Sequence, residues 1–385
     1  MKKPRLMTPG PSPVPEDVLL AMARPVIHHR SAEAKAWNDE VVAGLRYTFQ
    51  TRNDVLILTS SGTGSMEAAA INSVPAGGKA IVLDAGRFGS RWAVICRTFG
   101  IEPVVLATEW GRPVDPDRVA VALREHPDAV AVFGTLSETS TGTGHPVEAI
   151  GRLVAETPAI FVVDGISGVG AMECRTDAWG IDILCVGSQK ALMLPPGLAF
   201  VAVSPKAWAR IDSFDSPSFY FNLKAARKAA KDSLTPYTPA HTLIAGLRVA
   251  LARIEAEGIE EVWARHRRMG AACRAGVEAL GLELFSTSPA EGMTVFRVPE
   301  GLVDGDIRSG LADRFGIATI GGQDRLKGQI IRVGHLGYMD ELDVVAGIAA
   351  LEMVLDDLGY EVEPGRGVAS AQRALIGRRS IVEAS

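Results

Sequence analysis

Pro146-Val-Glu-Ala-Ile-Gly-Arg-Leu-Val-Ala-Glu156 is followed, after Thr157 and Pro158, by Ala159-Ile-Phe-Val-Val-Asp-Gly-Ile-Ser167. The first stretch is amphipathic at helical spacing. The second opens with an unbroken apolar run that stops on an acid, and continuous apolarity over so few residues describes a strand covered on both faces. The same alternation extends in both directions. Further apolar runs are Val55–Leu58, Ala80–Leu83, Pro103–Ala107, Ala129–Phe133, Ile181–Val186 and Leu198–Val203, and Pro116–Glu125 is a second amphipathic segment. Strand, helix, strand predicts an α/β domain with a mostly parallel seven-stranded sheet and right-handed crossovers. The link from Ile181–Val186 to Leu198–Val203 has no room for a helix, so that pair is expected to be antiparallel or irregularly joined.

After about residue 240 the texture changes. Leu243–Glu257 and Ile259–Leu280 predict long helices. The short runs Glu283–Phe285, Met293–Val298, Ile317–Ile320 and Gln329–Val333 then alternate with helices over Asp306–Phe315 and Met339–Leu358, which describes a smaller α+β domain. Residues 366–385 show little periodicity and predict a frayed tail.

Composition narrows the function. The 385 residues are 47% apolar and 22% charged with a net charge of −5, so the chain has the makeup of a globular protein and no global field for nucleic acid. The uncharged run Ala191–Ser204 is too short to span a bilayer and carries Pro195 and Pro196. The N-terminus lacks the apolar core of a signal peptide. Cys96, Cys174, Cys185 and Cys273 have neither CxxC nor zinc-ligand spacing, which fits reduced thiols in a cytoplasmic protein and no metal site.

Three stretches carry chemistry. Thr59-Ser-Ser-Gly-Thr-Gly-Ser-Met-Glu-Ala-Ala-Ala70 follows a strand and opens a helix, where free N–H groups and the helix dipole suit a phosphate; an ordinary capped turn reads the same way. With Asp84 it also invites a nicotinamide-dinucleotide reading, weakened by Glu67 at the third glycine position. Asp164 ends a buried strand at the edge where open α/β sheets bind ligands, and equally suits a helix cap. Gly165-Ile-Ser-Gly-Val lacks the spacing of a nucleophile elbow. Lys190, in Ile183-Leu-Cys-Val-Gly-Ser-Gln-Lys190-Ala-Leu-Met-Leu, stands between apolar segments. It is either a desolvated amine with a lowered pKa or a snorkelling surface lysine. A phosphate cradle, a strand-end acid and a lysine in this order are the parts of a pyridoxal phosphate site.

The chain resembles the class V, fold type I pyridoxal-phosphate aminotransferases, in the serine–pyruvate and alanine–glyoxylate branch. The resemblance runs from Thr8 to about Leu358. Its marks are Thr8-Pro-Gly-Pro-Ser-Pro-Val-Pro15, His28-His-Arg-Ser31, Ser60-Ser-Gly-Thr63, Glu138-Thr-Ser-Thr-Gly142, Val163-Asp-Gly-Ile-Ser167, Gly187-Ser-Gln-Lys190, Tyr237-Thr-Pro239 and Arg332-Val-Gly-His-Leu-Gly337. It implies Lys190 as the Schiff-base lysine and Asp164 as the partner of the pyridine nitrogen. Phe88 would stack on the cofactor and Thr139 would contact its ring oxygen. Gly62, Thr63 and Gln189 would hold the phosphate, and Thr238 would reach the phosphate of a neighbouring subunit in a homodimer. Thr235 stands where some relatives place a tyrosine. Arg332 would grip the substrate carboxylate by its planar fork, and its place after Gln329–Ile331 puts it at a strand end. His28, His29 and Arg30 fall near an expected entrance, and His335 is read as a packed loop histidine.

The implied organisation is an N-terminal arm (1–20), a large cofactor domain (21–255), a small domain (256–365) and the tail. The implied function is ping-pong transfer of amino groups between small amino acids, alanine or serine, and glyoxylate or pyruvate. Aspartate with 2-oxoglutarate, another class V reaction, a nicotinamide dehydrogenase and a non-catalytic binding protein are the alternatives. No second arginine can be placed in the pocket from sequence, Arg30 apart, which predicts small donors over aspartate and glutamate.

Overall fold

A computed structural model describes residues 2–376. Each of the seven apolar runs becomes a strand: β1 (Asp54–Leu58), β2 (Lys79–Asp84), β3 (Glu102–Ala107), β4 (Ala131–Thr135), β5 (Ile160–Asp164), β6 (Ile183–Gly187) and β7 (Ala199–Val203). They form one sheet in the order β1-β7-β6-β5-β4-β2-β3. All neighbours are parallel except β7, which is antiparallel to both β6 and β1. The short link after β6 therefore turns the chain back, as its length demands, and that turn carries Lys190.

Alternate residues of each central strand feed two cores. On β5, Phe161 and Val163 join one and Ile160 and Val162 the other; on β6, Leu184 and Val186 oppose Ile183 and Cys185. Both faces being covered is the reason these strands are unbroken apolar runs. Six strands point the same way, so their carboxyl ends share one edge. Two helices start there: α1 (Gly62–Ser73) after β1 and α2 (Arg87–Thr98) after β2. Trp92 anchors α2. It is fully buried, stacks on Phe133 at 4.7 Å between centroids, and donates its indole N–H to the Gly134 carbonyl at 3.1 Å.

The later half holds α3 (His241–Glu257), packed on the helix Ala32–Phe49, and α4 (Ile259–Ala279). Ile259, Val262 and Trp263 of α4 belong to the large core, whereas Met269, Ala272, Cys273 and Val277 belong to a separate one. An antiparallel sheet of β8 (Met293–Arg297), β10 (Ile330–Gly334) and β9 (Ile320–Gly321), in that order, packs there with α5 (Glu341–Asp357).

The structure corrects three local expectations. Glu283–Phe285 forms no strand; Leu284 makes an isolated bridge to Phe296. Ile317–Ile320 is two pieces, because Ile317–Ala318 pairs in parallel with Arg5–Leu6 at the N-terminus while Ile320–Gly321 turns to β10. Residues 366–376 are not frayed but form α6 (Arg366–Ile376), whose Ala371 and Leu375 are buried and whose first amides, Gly367 and Val368, donate to Glu352 Oε1 at 2.6 and 3.1 Å. Val368, Ala371 and Leu375 keep helical spacing under the arginines and serines that disguise it. The rest of the expected tail lies outside the described residues. Among the described residues no helix is long and apolar enough to cross a membrane.

Candidate active site

The site lies at the carboxyl edge of the large sheet. Asp164, the last residue of β5, is 4% exposed, and its Oδ1 accepts the Ile166 amide at 2.9 Å. Burial pushes its carboxyl up to about 7. Among the described residues that amide is its one hydrogen-bond donor, so a strand-end carboxylate has been desolvated without a cation in contact. This is the position for a ligand group that brings its own positive N–H.

Lys190 is 9% exposed, and burial lowers its amine to about 8. Its Nζ donates to the Pro9 carbonyl at 2.6 Å, and the Ser12 hydroxyl donates to the Lys190 carbonyl at 2.6 Å. The N-terminal segment thus lies directly over the lysine. Gly10, at φ +133°, permits this: a Cβ there would come within 2.1 Å of Nζ. The snorkelling alternative for Lys190 is excluded, since its amine points inward to a backbone carbonyl.

At the N-terminus of α1, Gly62 packs so closely on Ile166 that a Cβ would meet its Cδ1 at 2.6 Å. Close packing keeps the first turn of α1 beside the loop that follows Asp164. Gln189 has a buried side-chain oxygen with no partner. An amide inverts its donor and acceptor by a flip, so this group can offer N–H to an anion at the cradle. The Thr139 hydroxyl donates to Ser167 Oγ at 2.7 Å. Phe88, in the first turn of α2, is half-buried, with the Arg91 guanidinium 4.6 Å from its ring centroid.

Arg332 is 2% exposed and lies in the middle of β10, not at a strand end. Its neighbour β9 ends at Gly321, which turns its carbonyl inward to accept Arg332 Nε at 2.9 Å, while Nη1 donates to the Thr139 carbonyl at 3.0 Å. Burial lowers it to about 10. The two backbone carbonyls, with Gln323 Oε1 at 3.5 Å from Nη1, hold one side of the fork, which leaves the rest for an anionic ligand. Replacing Arg332 with Lys keeps the charge but loses the fork. The expected result is a loss of catalytic efficiency of about tenfold or more, or ~1.4 kcal/mol, by a similar factor for every amino donor. A donor-dependent loss in a panel of kcat/KM values would show that Arg332 reads the side chain instead.

The remaining candidates sit elsewhere. Thr238 is exposed, and Thr235 donates its hydroxyl to the Tyr237 carbonyl at 2.6 Å. His28 and His29 stack loosely on each other, with His29 6.5 Å from the His241 ring, and Arg30 is exposed. His335 is a packed histidine, fully buried, 2.9 Å from Thr294 Oγ1, and held neutral by burial with its pKa at about 3. Asp84, the residue of the dinucleotide reading, accepts the Ser90 hydroxyl at 2.8 Å instead.

Two residues of the site carried no sequence assignment. Glu138 is fully buried and accepts the amides of Phe88, Gly89 and Ser140 at 3.0, 2.9 and 3.1 Å, so it fixes the start of α2. Burial pushes its carboxyl above the ordinary value despite those donors. Arg91 stands one turn after Phe88 on α2 and donates to Thr63 Oγ1 at 2.9 Å. The i, i+3 spacing from Phe88 is the signal that would have found it.

The aminotransferase class-V family model matches residues 6–344. The chain is a class V aminotransferase. Enzymes of this family use pyridoxal phosphate, and the desolvated pair Lys190 and Asp164 beside an α-helix N-terminus fits that group. This aminotransferase is 44% identical to a protein named soluble hydrogenase, small subunit, of Synechococcus sp. (strain PCC 6716), over 97% of this chain and 98% of that one. It is 36% identical to the L-aspartate–glyoxylate aminotransferase of Paracoccus denitrificans (strain Pd 1222), over 95% of each. It also superposes on the ureidoglycine–glyoxylate aminotransferase of Bacillus subtilis with a TM-score of 0.92 at 29% identity, covering 97% of this chain and 98% of that one. Among the described residues no group of three or more His, Cys, Asp or Glu is placed to hold a metal ion.

Proposed function

We propose that this aminotransferase moves amino groups from small neutral amino acids, alanine or serine, to glyoxylate or pyruvate, working as a cytoplasmic homodimer. When bound, pyridoxal phosphate supplies the electron sink for breaking the Cα–H bond of the amino acid. Asp164 holds a proton on the pyridine nitrogen. With the cofactor bound, Lys190 Nζ, whose pKa is about 8, would be the base that accepts the Cα proton and the acid that then carries it. Arg332 fixes the α-carboxylate, Phe88 covers the ring, and Gly62, Thr63 and Gln189 hold the phosphate with Thr139 at the ring oxygen. The two halves of the reaction share these groups, so ping-pong kinetics are expected.

The observation that carries the choice of donor is the engagement of the other arginines. Arg87 pairs with Asp324 at 3.4 Å, Arg91 is bonded to Thr63 and lies over Phe88, and Arg30 is exposed. Arg87 is thus held by a carboxylate and Arg91 by Thr63 and Phe88, while Arg30 lies in solvent. The close approach of Gly10 to Lys190 also favours a small substrate. A donor screen with glyoxylate, pyruvate and 2-oxoglutarate as acceptors tests this. Aspartate or glutamate as the best donor would overturn it and direct attention to Arg87 or Arg30.

The dimer rests on the exposure of Thr238, a residue that the family pattern assigns to a neighbour's phosphate. Lys190→Ala and Thr238→Asp proteins should each be defective. After subunit exchange, one site of each mixed dimer receives an intact Lys190 and an intact Thr238. An equal mixture should recover about a quarter of wild-type activity. No recovery after exchange verified by mass spectrometry would place Thr238 outside the partner's site.

A further inference from the structure

The named phosphate groups of the cradle, Gly62, Thr63, Gln189 and Thr238, are all uncharged. A phosphate monoester carries roughly −1.5 to −2 at neutral pH. A helix N-terminus offsets about half a charge. Around one negative charge is therefore left without a counter-charge, and a half-buried site makes that costly. Lys190 and Arg332 face other tasks.

Arg91 has the opposite imbalance. It is half-buried and, among the described residues, in no ion pair, and burial lowers its pKa. Among the described residues its guanidinium makes one hydrogen bond, to Thr63 Oγ1 at 2.9 Å, and lies over the Phe88 ring. Its charge acts on both Asp164 and Lys190, so it is felt inside the site. The remaining N–H groups of its fork are unassigned beside the first turn of α1. Arg87, its neighbour one position before Phe88, is already paired to Asp324.

We propose that Arg91 is the cationic ligand of the cofactor phosphate, aimed into the cradle by Thr63 and by the face of Phe88. This rests on the cofactor reading above and adds to it a residue with a single job: discrimination of the phosphorylated cofactor from its unphosphorylated form. Occupation by phosphate would also withdraw Arg91 from any acidic substrate side chain.

Cofactor-free wild type, Arg91→Gln and Arg91→Lys are titrated in parallel with pyridoxal phosphate and with pyridoxal, following absorbance. Wild type should prefer the phosphorylated form strongly. Arg91→Gln should weaken pyridoxal phosphate about 10- to 100-fold, the range of charge-assisted hydrogen bonds, while leaving pyridoxal nearly unchanged. Arg91→Lys should recover part of the loss, and it keeps the test open should the glutamine variant fold poorly. Equal weakening of both ligands would overturn the proposal and make Arg91 a support for Phe88. No change with either would also overturn it and assign Arg91 to the outer groove that it lines with Arg87, Trp110 and Arg325. Wild type binding neither ligand would instead overturn the cofactor assignment itself.

Discussion

Lys190→Ala is expected to bring turnover to background while the protein still takes up pyridoxal phosphate without a covalent link. A positioned acid–base group contributes on the order of 10²–10⁴-fold, and Lys190 is also the attachment point, so the loss should exceed that range. The amine sits under the Pro9 carbonyl in a desolvated pocket, with its pKa at about 8 against an ordinary 10.5. Two measurements check the assignment. Borohydride reduction of the loaded wild type should fix the cofactor on the peptide that contains Lys190, and recovery on another lysine would refute the role. The rate of that attachment to cofactor-free protein should rise with pH and level off above about 8, not 10.5. A rate still climbing steeply at pH 9 would show that the amine is not desolvated.

Asp164→Asn should leave the fold intact and lower kcat by at least about 10- to 100-fold. The neutral amide cannot hold the ring nitrogen protonated, and the loss of one charge-assisted hydrogen bond is roughly 1.5–3 kcal/mol. Near-wild-type turnover would rule the role out. The cofactor-free protein offers a second reading of opposite sign. Burial raises the carboxyl from 3.8 to about 7, so the folded chain binds that proton more tightly than the unfolded one. Stability contributed by the protonated form is therefore present below pH 3.8 and lost as pH rises through about 7. The asparagine variant has no such loss. Its melting temperature without cofactor should exceed that of wild type at pH 8, with the gap closing toward pH 4. Loaded with cofactor, the order should reverse. A variant less stable than wild type in both states would mean that Asp164 serves the fold.

The sheet was legible because its central strands are buried on both faces, and such strands cannot be disguised; the edge strand β3 is half-exposed and was read from its apolar run alone. The short β6–β7 link likewise narrowed that pair to an antiparallel reversal or an irregular join, and the reversal is what forms. The small domain was less legible. Its strands are brief, Ile317–Ala318 finds its partner at Arg5–Leu6, and no local pattern encodes a pairing between the two ends of the chain. The order of cradle, acid and lysine pointed to the cofactor because each follows a strand of the same edge. Arg332 was found by its motif, but its mid-strand place follows from the pairing of all of β10 with β8, which carries the strand two residues past it. Glu138 and Arg91 went unassigned for a physical reason. Both act through α2, one on its first amides and the other across its surface to Thr63; the contact of Glu138 leaves no mark in spacing along the chain, and that of Arg91 leaves only its i, i+3 relation to Phe88.

The N-terminal segment has a consequence for how the enzyme is made. Arg5–Leu6 pairs with Ile317–Ala318, the Gly334 amide donates to the Met7 carbonyl at 2.8 Å, and Pro9 and Ser12 then reach Lys190. Arg5–Leu6 thus waits for partners synthesised about three hundred residues later, a separation that belongs among the slowest kinds of closure. Until then the lysine has no roof. A nascent or truncated chain ending before residue 317 would hold the seven strands of the large sheet and an open lysine, so competence for the cofactor waits on residues 317 and 318.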